Sequence, residues 1–169
     1  LGRSPRVLTP HDGEFRAAFP KPAKQLGTDR FAAVQGAAAL FAGGHAAHAA
    51  HASHAAVLLK GQPTIVAQPK GSTYVVGSGN PALATGGSGD LLAGFVGAFL
   101  ARKLPPAQAA ALGGQVLGRA ADIAAAQLTV RATRPADVLA ALPELWRRWA
   151  TGTRPSAPVL LELEAPLLV

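Results

Sequence analysis

The chain has no cysteine and no methionine in its 169 residues. The first absence excludes a disulfide framework, a thiolate nucleophile and every cysteine-ligated zinc or iron–sulfur site, and it suits a reducing compartment, so a cytoplasmic location is expected. The second leaves no initiator, so the sequence reads as processed or truncated at its start. Aromatic residues are only 5% and charged residues 15%, against 49% hydrophobic, which is the opposite of a chain unable to pack. The apolar set is shallow, nearly half of it being alanine. Acid is scarce as well, since 9 Asp and Glu stand against 16 Lys and Arg for a net charge of +7. Such a balance invites nucleic acid, but a footprint of that kind needs clustered cations. Here Arg3, Arg6, Arg16, Lys21, Lys24, Arg30, Arg102, Lys103, Arg131, Arg134, Arg147, Arg148 and Arg154 are dispersed without interleaved aromatics. No nucleic-acid partner is expected, and the basic surface suits an anionic small ligand. The longest apolar run, residues 91–101, is far short of the roughly 20 residues that cross a bilayer, so no membrane partner is expected.

What is present alternates between short apolar runs and turn signals. Val7, Leu8 and Thr9 read as the end of a strand that runs into a turn at residues 10–13, and residues 14–19 as one or two helical turns. Thr28 or Asp29 caps a helix that starts at Arg30. Residues 56–59 read as a buried strand ending at Lys60-Gly61, and residues 64–67 and 73–76 as a hairpin. Residues 77–89 are rich enough in Gly, Ser and Asn to be loop, followed by helices over 90–102 and from Pro105-Pro106 to about Gln127. Residues 133–137 read as a helix start, and a last amphipathic helix is expected from there to Trp149, with Val138, Leu139, Leu142, Leu145, Trp146 and Trp149 as its apolar residues. Strands interleaved with helices predict an α/β layer fold, a central sheet flanked by helices, over residues 1–150. Residues 151–169 form a tail of unknown structure.

His45, His48, His51 and His54 recur every three residues in an alanine-rich run. Neighbours three apart share a helix face, so a pair of imidazoles would be able to ligate a metal. A period of three drifts by about 60° per step around a 3.6-residue helix, however, and no acid lies in the run to complete a site. A biased-composition insertion accounts for it, and no metal site is expected.

The strongest local signal is residues 80–90, Asn-Pro-Ala-Leu-Ala-Thr-Gly-Gly-Ser-Gly-Asp, directly before an apolar helix. Gly86, Gly87 and Gly89 let backbone N–H groups approach a ligand, and Ser88 sits among them at the helix start, where unpaired donors and the dipole make a phosphate cradle. No Walker lysine follows and no dinucleotide fingerprint is present. Asp90 is the one acidic residue between positions 31 and 121. A first-turn acid is often only a cap, but beside a phosphate cradle it is placed to act as the base for phosphoryl transfer to a hydroxyl. Lys60, in place of an ordinary surface lysine, ends a buried strand where α/β folds bind ligands. Thr9-Pro10-His11-Asp12-Gly13-Glu14 is a turn able to present His11 or Glu14 to the same cleft.

In their order, these segments resemble the ADP- or ATP-dependent NAD(P)H-hydrate dehydratases of the ribokinase-like superfamily. That family carries Thr-Pro-His-x-Gly-Glu, then an apolar strand ending in Lys-Gly, then the Asn-Pro-x-x-Ala-Thr-Gly-Gly-Ser-Gly-Asp loop. The resemblance implies a ribokinase-like layered fold and a metabolite-repair lyase. NADHX or NADPHX and an adenine nucleotide would be its partners, with ADP or ATP as phosphoryl donor and Mg²⁺ assisting. Phosphorylating the ring hydroxyl turns a poor leaving group into a good one, and its elimination restores NAD(P)H. By motif, Asp90 would be the base at the substrate hydroxyl and His11 would contact the hydrated cofactor. Gly86, Gly87, Ser88 and Gly89 would hold the transferring phosphate, and Lys60, Gly61, Gln62, Pro63 and Thr64 would contact the nucleotide.

Asp12 stands where the family usually has Pro, Leu83 where Met is common, and Leu117 where the His of a His-Gly pair is expected. The family's N-terminal portion has no counterpart, so the chain reads as a C-terminal portion of such a domain. The alternatives are a ribokinase-like small-molecule kinase, which would release a stable phosphate ester, and an adenine-nucleotide-binding fragment without turnover. A homo-oligomer is compatible with the family.

Overall fold

A computed structural model describes residues 4–41, 54–152 and 160–163. The chain runs β1 (Arg6–Leu8), α1 (Asp12–Ala18), a 3-10 turn (Pro22–Gln25), α2 (Arg30–Ala39), β2 (Ala55–Leu59), β3 (Thr64–Ala67) and β4 (Thr73–Val76). A second 3-10 turn (Pro81–Ala84) then leads to α3 (Ser88–Ala101), α4 (Pro106–Leu128), α5 (Pro135–Ala140), α6 (Leu142–Ala150) and β5 (Leu160–Leu163). The five strands form one sheet in the order β1-β2-β3-β4-β5, with β1 parallel to β2 and the other neighbours antiparallel. The hairpin expected over residues 64–76 is there, with Ile65 opposite Val75. The tail left unplaced by sequence contributes β5, which pairs with β4.

The expected layering follows from side-chain alternation along the strands. Val57, Leu59, Ile65 and Ala67 point to one face, where Phe15 of α1, Phe19 just after it, and Val34 and Ala37 of α2 cover them. Leu58 and Val66 point to the other, beneath Leu92, Val96, Val116 and Ile123 of α3 and α4 and Val138 and Leu145 of α5 and α6. All five residues of β2 are buried, as its unbroken apolar sequence requires of a strand covered on both faces. Complete burial of each large side chain in it contributes about 1.5–3 kcal/mol. Small residues set how closely the helices approach: a Cβ on Gly113 of α4 would lie 2.7 Å from Val96 Cγ2 of α3.

Two expectations are corrected. The last helix starts at Pro135, within the expected 133–137, but it is two helices rather than one, because Pro143 lacks the N–H that would bond Leu139 and its ring crowds that carbonyl. The break buries Val138 and Leu145 and leaves Leu139 and Trp146 exposed. Residues 77–89 are not all loop: Asn80 Oδ1 accepts from Ala82 N–H at 3.0 Å and starts a 3-10 turn through Pro81, and α3 begins at Ser88 rather than at Asp90. Gly87, at φ +90°, supplies the left-handed turn into α3. Of the histidine run, His45, His48 and His51 lie outside the described residues, and the His54 carbonyl accepts from Arg6 N–H at 2.9 Å. Among the described residues, no helix is long and apolar enough to cross a membrane.

Candidate functional site

The C-terminal end of β2, the start of α1 and the loop into α3 surround a cavity of about 910 Å³. His11, Lys60, Gly61, Gln62, Pro63, Thr64, Ser88 and Gly89 are on its wall. Val76, Leu83, Leu92 and Leu117 give it an apolar interior. Segments far apart in sequence are thus brought to one cleft.

His11 is fixed by the helix it starts. It is the N-cap of α1, and its Nδ1 accepts from the N–H groups of Gly13 and Glu14 at 3.0 and 3.1 Å. Glu14 Oε2 accepts in return from His11 N–H at 2.8 Å, completing a capping box with histidine in the usual serine or threonine role. With Nδ1 occupied as acceptor, Nε2 is the ring nitrogen left to meet a ligand, and it lies 3.6 Å from Glu14 Oε1. Glu14 Oε2 is also 3.4 Å from Lys60 Nζ. The Glu14 carboxyl is held below the usual carboxylate range, first by the hydrogen bond from His11 N–H, which outweighs the opposing effect of desolvation, with the charge of Lys60 adding to the lowering.

Lys60 approaches the glycine loop directly, since a Cβ built on Gly89 would lie 3.5 Å from its Nζ. That distance is ordinary van der Waals contact, so it records how near the ammonium stands to the loop. Ser88 is buried, and its N–H donates to Thr85 O at 3.3 Å. The N–H groups of Asp90 and Leu91 both donate to Gly87 O at 3.1 Å, closing the first turn of α3. The N–H groups of Gly86, Gly87 and Gly89 have no acceptor among the described residues, which leaves them available to an anion at the positive end of the helix dipole. Gly86, Gly87 and Asp90 are exposed and stand just beyond the cavity wall, with Asp90 on the first turn of α3.

Sequence inspection missed the residues that hold the loop in place. Asp122 of α4 accepts from Gly79 N–H at 3.3 Å and from Asn80 Nδ2 at 3.0 Å. Ser78 Oγ is 3.1 Å from Gln115 Oε1, and Gly118 lies so close that any Cβ would run into Ser78. An acid in mid-helix carries no local signal of a loop some forty residues upstream, because the pairing exists only once α4 covers the sheet. The pair Asp12 and Arg30 was missed for the same reason.

A sequence model described as NAD(P)H-hydrate dehydratase matches residues 2–144. A bifunctional NAD(P)H-hydrate repair enzyme of Moorella thermoacetica is 38% identical over 143 residues, which is 85% of this chain and 25% of that protein. An ADP-dependent (S)-NAD(P)H-hydrate dehydratase of Neisseria meningitidis is 40% identical over 117 residues, covering 69% of this chain and 36% of that protein. Among solved structures, an ADP/ATP-dependent NAD(P)H-hydrate dehydratase from Bacillus subtilis, co-crystallized with ATP/Mg²⁺ and soaked with CoA, superposes with a TM-score of 0.72 at 28% identity. It is covered over 49% of its length by 86% of this chain. The chain therefore spans about a quarter to a third of these curated relatives and about half of that solved chain. The layered architecture is the ribokinase-like one.

Proposed function

Because the chain belongs to the NAD(P)H-hydrate dehydratase family, we propose that it serves the nucleotide-dependent return of NADHX or NADPHX to NAD(P)H. The observation that carries this reading is the meeting of His11, Lys60 and Gly89 on the wall of one cavity. A hydrated nicotinamide at His11 and the phosphates of ADP or ATP at Lys60 and residues 86–89 would be neighbours there. Asp90 is then the base at the rim. It takes the proton of the ring hydroxyl as that oxygen attacks the terminal phosphorus, and the bond to the departing ADP or AMP breaks. Inorganic phosphate then leaves the ester with the C–O electron pair, the adjacent ring carbon gives up a proton to solvent, and the double bond is restored. Lys60 and the loop N–H groups offset the charge on the transferring phosphoryl group. Residues 1–150 would supply this half of the site as one body.

Among the described residues no cluster of three His, Asp or Glu forms a metal cage. Mg²⁺, where it assists, would be held mainly by the nucleotide phosphates and would supply charge neutralisation there.

The test is to incubate the chain with hydrated NADH, Mg²⁺ and either ADP or ATP, and to follow the absorbance of the reduced nicotinamide. Recovery that requires nucleotide and falls by about a hundredfold or more in Asp90→Asn is expected, the usual scale for losing a general base. Accumulation of a stable phosphate ester would replace this reading with a kinase. Nucleotide binding without any turnover would replace it with a binding module.

A further inference from the structure

The backbone of Lys60 is gripped on both sides. Its N–H donates to Pro10 O at 2.8 Å, and its carbonyl accepts from Arg30 Nη2 at 2.8 Å. The same guanidinium reaches Asp12 of α1 through Nη1, at 2.8 Å from Oδ1 and 2.9 Å from Oδ2. Arg30 thus joins the first turn of α1, the first turn of α2 and the end of β2. Its side chain is 19% exposed, and its Nε is buried without a hydrogen-bond partner. Gly61 follows at φ +144°, and a Cβ there would run into Arg30 Nη2. Glycine is thus required at 61 both by its conformation and by the guanidinium lying over it. Thr64 Oγ1 donates to Gly61 O at 2.9 Å and closes the turn from the other side.

We propose that Arg30 is a positioning residue for nucleotide phosphate. By bridging Asp12 and the Lys60 carbonyl it sets the turn at Lys60 and Gly61, so that the Lys60 ammonium stands beside Gly89. The inference rests on the nucleotide reading given above. Arg30 is not on the cavity wall, so it acts through Lys60. A guanidinium suits the task because its planar fork holds two partners in fixed geometry, which a single ammonium does not reproduce. A part-exposed ion pair with Asp12 alone would contribute little. The carbonyl contact and the close approach to Gly61 are what couple this arginine to the site.

The experiment measures Mg-ADP and Mg-ATP affinity by calorimetry for the unaltered chain, Arg30→Ala, Arg30→Lys, Lys60→Met and the double variant Arg30→Ala/Lys60→Met. Amide hydrogen exchange is followed in the nucleotide-free proteins. Arg30→Ala is expected to weaken binding about tenfold, and Arg30→Lys nearly as much, as for loss of a charge-assisted hydrogen bond. In the Lys60→Met background Arg30→Ala should add nothing, because both act through one group. The amides of Lys60, Gly61 and Gln62 should exchange faster in Arg30→Ala while β3 stays protected. Unaltered affinity, losses that simply add, or unchanged exchange at the turn would each overturn the proposal. Should Arg30→Ala fail to fold, Asp12→Asn releases one arm of the bridge from a half-exposed position and is expected to show a smaller loss of the same kind. Unaltered-chain affinity and exchange in Asp12→Asn would likewise overturn it. If the unaltered chain binds neither nucleotide, the nucleotide reading falls, and the exchange comparison still decides whether Arg30 sets the turn.

Discussion

Glu14 and Lys60 meet at 3.4 Å at the mouth of the cavity, tying the first turn of α1 to the end of β2. Glu14 also accepts from His11 N–H, so one carboxylate holds two of the residues assigned to ligands. Its ionisation is therefore coupled to the order of the site.

The pH dependence follows from the direction of that coupling. The Glu14 carboxyl is lowered from its ordinary 4.5 in the folded chain, chiefly by the His11 N–H. A group whose folded pKa is depressed contributes stability that is fully present above its unfolded value and is lost as pH falls through the folded value. Glu14→Gln should therefore melt lower than the unaltered chain near neutrality, and the gap should close as the pH falls below the ordinary 4.5 and through the lowered folded value. Thermal melts from pH 7 to pH 3 check this, and a constant gap across that range would show that the effect is not carried by the charge. Glu14 is about half exposed, so a gap of only a few degrees is expected.

Glycines of α3 and α4 predict opposite signs for the same substitution. Gly97 is exposed on α3 with nothing within 4 Å of a built Cβ, so Gly97→Ala should stabilise by about 0.5–1 kcal/mol through the lost freedom of the unfolded chain. Gly113 faces Val96, whose backbone nitrogen would lie 3.2 Å from its Cβ, and Gly113→Ala should cost about 1–3 kcal/mol by pushing the helices apart. Urea midpoints separate the two. Equal and opposite shifts are not required, but the same sign for both would contradict this packing.

The elements were legible in the sequence wherever local chemistry decides them. The hairpin over Thr64–Ala67 and Thr73–Val76, the capped start of α2 at Asp29 and the anion loop before α3 all carry their own signals. The break between α5 and α6 was also written locally, in Pro143, but an amphipathic pattern from Val138 to Trp149 masked it. The glycine loop and Lys60 were readable as ligand chemistry, whereas their supports were not. Arg30 and Asp122 look like ordinary charged residues of α2 and α4, and only tertiary folding brings them to the backbone they hold.

Asp122 supplies a prediction of its own. Its two oxygens accept from Gly79 N–H and Asn80 Nδ2, and Asn80 in turn caps the 3-10 turn that leads into the glycine loop. Asp122→Ala removes two bonds to a charged acceptor and leaves both donors unmatched, which costs about 2 kcal/mol. The loss should appear as faster amide exchange at residues 79–82 and a lowered urea midpoint. A variant with an unaltered midpoint would mean that the loop is held by its own 3-10 turn and the Ser78 contact with Gln115.

Lys60→Met tests whether the ammonium, rather than its carbon stem, is what the site uses. Methionine keeps much of the stem's volume and removes the charge, so the turn held by Pro10 and Arg30 should survive and the melting temperature should change little. If the amine meets phosphate, its removal should weaken Mg-ADP or Mg-ATP binding by about tenfold, the scale of one charge-assisted hydrogen bond. Salt provides the second arm. The Lys60 side chain is 29% exposed, so its attraction for phosphate is partly screened across a Debye length of about 8–10 Å. Binding by the unaltered chain should weaken as sodium chloride is raised, and the slope should be shallower in Lys60→Met. An unchanged affinity with an unchanged slope would mean that the loop N–H groups of residues 86–89 carry the anion alone, and that Lys60 serves only to anchor Glu14.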